Sequence, residues 1–188
     1  MKFLTQIIFG AICSLSITPV EAKTRALSGA GAKQIEANYN KLTADGETWE
    51  LQRDQAFEVE LNSGKLKNVV FAPFKGNIVK FVLLKPEGRS ILQTLPKSDL
   101  AVVNIFSFLK VDAVAFKDMN GDGTKDILVL TSYFDSRPVQ EEGVGGGTTK
   151  VGYAFVSNKD EFILIDVCGE DVASLSELEK CVRLNLKK

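Results

Sequence analysis

Alternating apolar and polar positions dominate the middle of the chain and predict a succession of β-strands. Phe57, Val59 and Leu61 alternate with Glu58 and Glu60. This period of two is typical of a strand with one buried face. Clusters of turn-forming residues separate this run from the β-rich runs that follow it. Those further runs predict strands at residues 66–72, 78–84 and 90–95.

Two later apolar runs, residues 111–116 and 127–131, flank a short polar stretch. The second run begins with four consecutive apolar residues, so we expect both faces of that strand to be covered. Residues 150–157 and 161–167 are again β-rich, and residues 158–160 between them are typical of a turn. This arrangement predicts a β-hairpin.

Helical periodicity is present near the start of the chain. Ile35, Tyr39 and Leu42 are spaced i, i+4, i+7, which predicts a short helix that ends at residues 45–46. Residues 101–109 form a short apolar run that is consistent with either a strand or a buried helix, because short runs do not distinguish the two.

A second helix is predicted at the C-terminus. Ser174 and Glu177 form a capping box, and Leu175, Leu178 and Val182 then line one helical face. The many short strands predict a mainly β domain over residues 23–188. We expect an antiparallel β-sandwich or barrel with a short N-terminal helix and a C-terminal helix.

The first 22 residues predict a signal peptide. Lys2 is followed by a largely apolar segment, residues 3–17, and then by Thr18-Pro19 and Val20-Glu21-Ala22. This order matches a charged region, an apolar region and a cleavage site after small residues. The alternatives are a membrane anchor, for which the run is short, and a lipoprotein, for which the residues before Cys13 are a poor match. We therefore expect a periplasmic or secreted protein without a membrane span after cleavage.

Composition narrows the range of partners and sites. The chain has 188 residues, 45% of them hydrophobic, and a formal net charge of -1, which gives no reason to expect a nucleic acid as partner. Cys168 and Cys181 would remain after signal cleavage, and in an oxidising compartment we expect them to form a disulfide. Two free buried thiols are the alternative. The chain has no histidine, which excludes catalytic triads and metal sites that require one.

The acidic stretch from residue 118 to residue 126 is the strongest chemical signal in the sequence. Three carboxylates so close together repel one another, and a hard divalent cation relieves that repulsion. Glycines at loop positions four and six permit positive φ angles. The alternative is an ordinary metal-free turn rich in Asn, Asp and Gly. The sequence predicts a structural Ca²⁺ held by the side chains of Asp118, Asn120, Asp122 and Asp126 and by the backbone carbonyl of Thr124.

This stretch, continued through residues 127–129, resembles the calcium loop of FG-GAP and VCBS repeats. A propeller repeats that loop several times, whereas this chain has one copy. The chain is also similar over residues 111–165 to small exported bacterial proteins with a single such loop, some of which are similar to periplasmic lysozyme inhibitors. The resemblance implies bound calcium and a β-rich, inhibitor-like fold.

Enzymatic readings have less support. Ser107 and Lys110 match the S-x-x-K motif of penicillin-recognising enzymes, but the K-T-G motif that these enzymes also carry does not follow. Glu58 and Glu60 are a conceivable carboxylate pair for glycoside cleavage, although two glutamates at this spacing more often form a solvated face of a strand. The glycine-rich residues 143–147 lack the strand–turn–helix context of a dinucleotide site.

The sequence therefore favours a non-enzymatic, calcium-stabilised binding protein of the cell envelope. Its partner is expected to be a protein or a glycan, with a lysozyme as the most specific candidate. The glycine loop 143–149 and the neighbouring Tyr133 and Phe134 form the expected contact surface, as aromatics beside a flexible loop. A carboxylate enzyme acting on envelope polysaccharide and a purely structural envelope component are the alternatives.

Overall fold

The computed structural model describes residues 24–43, 46–76, 78–96, 106–135, 146–168 and 172–186. The predicted signal peptide, with Cys13, lies outside these residues. The described helices and strands are, in chain order, β1 (Thr24–Ala26), α1 (Gly29–Thr43), β2 (Glu50–Leu51), β3 (Phe57–Glu60), β4 (Asn68–Lys75), β5 (Val79–Leu84), β6 (Ile91–Thr94), β7 (Phe106–Lys117), β8 (Asp126–Asp135), β9 (Thr148–Asn158), β10 (Glu161–Leu164) and α2 (Leu175–Leu186).

The strands form two antiparallel sheets. Sheet A has the order β1-β3-β4-β5-β6, and β2 also pairs with β4. Sheet B has the order β10-β9-β8-β7, and its consecutive strands are joined as hairpins. The prediction of a mainly β protein with an antiparallel sandwich is thus confirmed. Residues 101–109 form a strand from Phe106 onwards, and residues 101–105 lie outside the described part.

The main core lies between the two sheets. Alternation decides which side chains enter it, because successive side chains of a strand point to opposite faces. Val59 of β3 and Phe71 of β4 point inward from sheet A, and Ile127, Val129 and Phe155 point inward from sheet B. Aromatic side chains join the layers, with the ring centroids of Phe81 and Phe155 5.7 Å apart.

Each helix covers the outer face of one sheet. Helix α1 places Ile35 and Tyr39 against the outward side chains of sheet A, and the Tyr39 ring stacks on Phe74 at 3.8 Å between centroids. The predicted helix therefore exists, but Leu42 is 46% exposed and is not part of its buried face. A short helix on a twisted sheet loses contact at its end, so periodicity alone overestimated the apolar face.

Helix α2 packs on sheet B. Leu178 and Val182 are fully buried in a cluster with the outward side chains of β8 and β9. The helix lies so close that a Cβ atom on Gly152 would come within 2.8 Å of a Leu178 methyl carbon. The side chains of β8 consequently have protein on both sides, and the expectation that both faces of this strand are covered is confirmed.

A disulfide and a capping residue fix the position of α2. Cys168 and Cys181 are bonded, with their Cα atoms 5.8 Å apart. Cys168 belongs to a 3₁₀ turn after β10 and not to the end of the strand, as the sequence suggested. The Ser174 hydroxyl oxygen accepts the Glu177 amide at 3.3 Å, so the predicted cap is present. Glu177 itself accepts the amide of Ala173.

A side-chain amide joins the outer strands of the two sheets. Gln93 of β6 accepts the backbone N–H of Phe162 in β10 at 3.0 Å and donates to the carbonyl of the same residue at 2.9 Å. Both outward backbone groups of Phe162 are thereby satisfied. None of the helices in the described part of the chain is both long enough and apolar enough to span a bilayer.

We expect truncation of Leu178 to destabilise the protein strongly. Leu178→Ala removes a fully buried side chain and leaves a cavity between α2 and Gly152, so the free energy of unfolding should fall by about 2–5 kcal/mol. The matched control is Leu184→Ala on the same helix, since Leu184 is 58% exposed. Chemical denaturation measures both, and similar losses for the two variants would contradict the described packing.

Candidate metal site in the acidic loop

The acidic loop is defined as residues 118–126 and closes the β7–β8 hairpin. Lys117 and Asp126 are the last paired residues of the two strands, so the loop begins and ends at a fixed position on sheet B. Gly121 and Gly123 have φ angles of 81° and 83°, in the region that glycine adopts without strain. A Cβ atom at either position would meet nothing within 4 Å. Glycine is therefore favoured here by backbone conformation, as the sequence predicted.

Side chains of the loop bind its own backbone. The two carboxylate oxygens of Asp118 accept the amides of Gly121 at 2.7 Å and Gly123 at 3.0 Å. Asp122 accepts the amide of Thr124 at 2.7 Å. The side-chain oxygen of Asn120 accepts the amide of Asp122, and its side-chain nitrogen donates to the Asp122 carboxylate. These bonds coil the exposed part of the loop.

Asp126 differs from the other loop carboxylates because it is fully buried, at 0% exposure. One carboxylate oxygen accepts the amide of Met119 at 2.7 Å, and the other accepts the amide of Ser157 in β9 at 2.8 Å. Burial raises the pKa of Asp126 above its ordinary value, the amides of Ser157 and Met119 lower it in part, and the nearby charges of Asp122 and Asp118 raise it further. The carboxylate thus joins the loop to the strand beyond its own hairpin.

The loop also contacts sheet A and helix α2. The amide of Lys125 donates to the carbonyl of Leu61, just after β3, at 2.9 Å. Met119 is only 5% exposed and packs in the apolar cluster under α2. Lys117 forms an ion pair with Glu179 of α2. Sequence reasoning missed these contacts, although an apolar Met119 inside a polar loop was a visible sign that one side chain turns inward.

The donor set fits a hard divalent cation in its chemistry. It consists of three carboxylates, one amide oxygen and the backbone carbonyl of Thr124, and Ca²⁺ prefers oxygen ligands of these kinds. The electrostatic effect of Asp118 and Asp122 on the pKa of Asp126 is the repulsion that a cation would relieve. Each carboxylate oxygen that accepts one amide keeps a second acceptor position. Among the described residues, no three acidic or cysteine side chains form a ready-made metal cluster, so binding would require these side chains to turn toward one ion.

The expected contact surface is only partly exposed. Tyr133 is 5% exposed, and its hydroxyl shares a hydrogen bond of 2.7 Å with that of Tyr153, so the expectation that Tyr133 lies on the surface is wrong. Burial and the neighbouring Tyr153 raise its pKa. Phe134 points to the other face of β8 and is 42% exposed. The alternation of β8 explains the difference, because Tyr133 is in phase with the inward Ile127. Residues 143–145 of the glycine loop lie outside the described residues.

The other candidate residues are distributed over separate surfaces. Glu58 and Glu60 both line a groove of about 460 Å³ on the outer face of sheet A, and Glu58 forms an ion pair with Arg25. Lys110 forms its ion pair with Asp112 at 3.0 Å, while Ser107 is exposed. Comparison with protein-family models, with curated proteins and with solved structures finds no significant match to this chain.

Replacement of Asp126 is expected to destabilise the protein in the absence of any metal. In Asp126→Ala the buried amides of Met119 and Ser157 lose their acceptor. Each unsatisfied group costs about 1–3 kcal/mol, so the loss of the acceptor for both amides should lower the unfolding free energy, measured in chelator, by about 2–6 kcal/mol.

Asp122→Ala is the matched control for this experiment. Its bonded partners, the amide of Thr124 and the side-chain nitrogen of Asn120, lie in the exposed part of the loop, where water replaces the lost acceptor. A clearly smaller loss is therefore expected. Equal losses for the two variants in denaturation measurements would contradict the structural role assigned to Asp126.

Proposed function

We propose that the protein is an exported, calcium-stabilised binding protein of the cell envelope that acts without catalysis. The observation that carries the proposal is the placement of the acidic loop. Three carboxylates are held within nine residues of one hairpin, and one of them, Asp126, is fully buried. Burial of a carboxylate is costly unless it is hydrogen-bonded and its charge is balanced. The two backbone amides provide the hydrogen bonds, and a bound Ca²⁺ would balance the charge.

The disulfide supports the proposal that this protein is exported. Bonds such as Cys168–Cys181 persist in oxidising compartments and are rare in the cytosol of most organisms. A signal peptide at residues 1–22 is the matching sequence feature. Calcium concentrations outside the cytosol suit weak sites, since exported modules bind this ion with dissociation constants of about 10⁻⁴–10⁻³ M.

Calcium in this loop would have a structural role. Asp118, Asn120, Asp122 and Asp126, with the Thr124 carbonyl, would hold the ion, which would neutralise their charge and fix the turn. At a tenfold excess over the dissociation constant the stabilisation is about 1.4 kcal/mol. This stabilisation is sufficient to fix the conformation of a loop, whereas the domain is folded by its hydrophobic cores.

The end of sheet B that carries Phe134 is the proposed contact surface. Phe134 is 42% exposed, and Leu109 on the adjacent strand β7 is 40% exposed. The β8–β9 connection leaves from the same end, where Asp135 and Gly147 are hydrogen-bonded. Exposed apolar side chains next to a connecting loop are typical of recognition surfaces. The proposed partner is a protein or a glycan of the envelope, and the most specific candidate is a lysozyme.

The groove on sheet A supports a second candidate, an enzyme acting on envelope polysaccharide. Glu58 and Glu60 share this groove with Arg25 and Asn68, and paired carboxylates are the catalytic groups of most glycosidases. The ion pair between Glu58 and Arg25 favours a structural role for Glu58. Release of reducing sugars from envelope polysaccharide that is lost in Glu60→Gln would favour the enzyme. A purely structural component would show neither this activity nor a partner in pull-downs from envelope fractions.

Calcium is expected to raise the melting temperature. At a tenfold excess over the dissociation constant, the shift relative to chelator should be about 3–5 °C. Asp118→Ala and Asp122→Ala should abolish the shift, whereas Asp54→Ala, an exposed acid outside the loop, should retain it. Superimposed melting curves of the wild-type protein with calcium and with chelator would contradict the calcium site.

The lysozyme version of the proposal is tested by inhibition. The mature protein should reduce the activity of at least one lysozyme among the C-type, G-type and invertebrate types. Phe134→Ala should weaken inhibition by about tenfold or more if Phe134 is a central contact. Leu184→Ala, which also truncates an exposed apolar side chain but on α2, should leave it unchanged. Absence of inhibition at micromolar excess would remove lysozymes as partners and leave the calcium result unaffected.

A further inference from the structure

Helix α2 contacts the acidic loop and the residue that precedes it through two interactions, one apolar and one ionic. The side chain of Met119 is buried in the apolar cluster that Leu178 and Val182 complete. Lys117, which immediately precedes the loop, forms an ion pair with Glu179 of the helix. The amide of Met119 is bound by the buried carboxylate of Asp126. Met119 therefore joins the cluster under the helix through its side chain and the buried Asp126 through its amide.

The helix itself is attached by a covalent bond as well as by packing. Cys181 lies in the middle of α2 and is bonded to Cys168, which precedes the helix. Asn185 of the helix also donates to the sulfur of Cys168 at 3.5 Å. A 12-residue helix is marginal by itself in water, so most of its stability comes from this attachment and from the buried Leu178 and Val182.

The two cysteine residues differ in exposure. Cys168 is 4% exposed, whereas Cys181 is partly exposed on the helix. An external thiolate therefore reaches the sulfur of Cys181 more easily, and access to a sulfur is one of the factors that set the rate of exchange.

We propose that α2 and the acidic loop form one redox-controlled unit, in which cleavage of the Cys168–Cys181 bond releases α2, uncovers Met119 and loosens the loop while the two-sheet sandwich stays folded. The proposal does not rest on bound calcium, because the contacts that carry it are Met119, the Lys117–Glu179 pair and the disulfide. It assigns the disulfide a regulatory function in addition to its stabilising one.

A dithiol reductant supplies the electrons and protons for reduction of the Cys168–Cys181 bond by thiol–disulfide exchange. One thiolate of the dithiol attacks the Cys181 sulfur, the S–S bond breaks, and Cys168 leaves as a thiolate that takes up a proton. The second thiol of the reagent then attacks the mixed disulfide and releases Cys181 as a thiol. The protein gains two electrons and two protons, and the reagent leaves as a cyclic disulfide.

Hydrogen exchange in chelator tests the proposal. The amide of Met119 is compared between the oxidised protein and the protein reduced with dithiothreitol, with alkylation and mass measurement confirming two free thiols. We expect its protection to fall by about tenfold or more on reduction, as for a local opening. The amides of Phe71 and Val82 in sheet A report on the sandwich and should keep their protection.

Two results would overturn the proposal. Unchanged protection of Met119 after complete reduction would show that the loop does not depend on the attached helix. Simultaneous loss of protection at Phe71 and Val82 would show that the disulfide holds the whole domain and that no separate unit exists.

A variant with an intact disulfide tests the same coupling from the other side. Because coupling between two sites is reciprocal, Met119→Ala should make the Cys168–Cys181 bond easier to reduce. The fraction of reduced protein is measured at a fixed concentration of dithiothreitol. We expect the equilibrium constant for reduction to rise by about fivefold or more. The matched control is Leu42→Ala, which shortens an exposed apolar side chain on α1 and should not change the equilibrium. Equal equilibria for Met119→Ala and the wild type would also overturn the proposal.

Discussion

The buried carboxylate of Asp126 is the interaction on which the arrangement of the acidic loop depends. It is the first residue of β8, it accepts an amide from inside the loop, and it accepts another from Ser157 of β9. A carboxylate in this position loses its hydration, and the two amides offset only part of that cost, as its raised pKa indicates. The carboxylate of Asp126 therefore positions the loop, although the protein offsets only part of the cost of burying it.

Strand β8 transmits this constraint to the rest of the molecule. Its inward side chains, Ile127 and Val129, belong to the core between the sheets, and its outward side chains, Leu128 and Leu130, belong to the core under α2. A displacement at its first residue would disturb both cores, because close-packed interiors respond to small shifts. The sandwich thus supports the loop from the side of Asp126, while α2 packs over the cluster that contains Met119.

The parts of this structure that sequence predicted are those that local rules determine. Alternation predicted the strands, and the conformational freedom of Gly121 and Gly123 predicted their positive φ angles. The disulfide was predicted from Cys168 and Cys181, the two cysteines outside the predicted signal peptide. Contacts between residues far apart in sequence escaped prediction. The bond from Ser157 to Asp126 spans 31 residues and follows from the pairing register of β8 and β9, which no local pattern specifies. The aromatic character of Tyr133 predicted an exposed contact residue, whereas its phase along the strand directs it into the core.

The side-chain amide of Gln93 has a consequence for the behaviour of the protein in a crowded environment. Strand β10 ends sheet B, and the backbone groups of a terminal strand are a template on which a strand from another molecule can add. Gln93 occupies the N–H and C=O of Phe162 as a neighbouring strand would. A single glutamine thereby blocks intermolecular strand addition at that position, which disfavours fibre growth at high protein concentration.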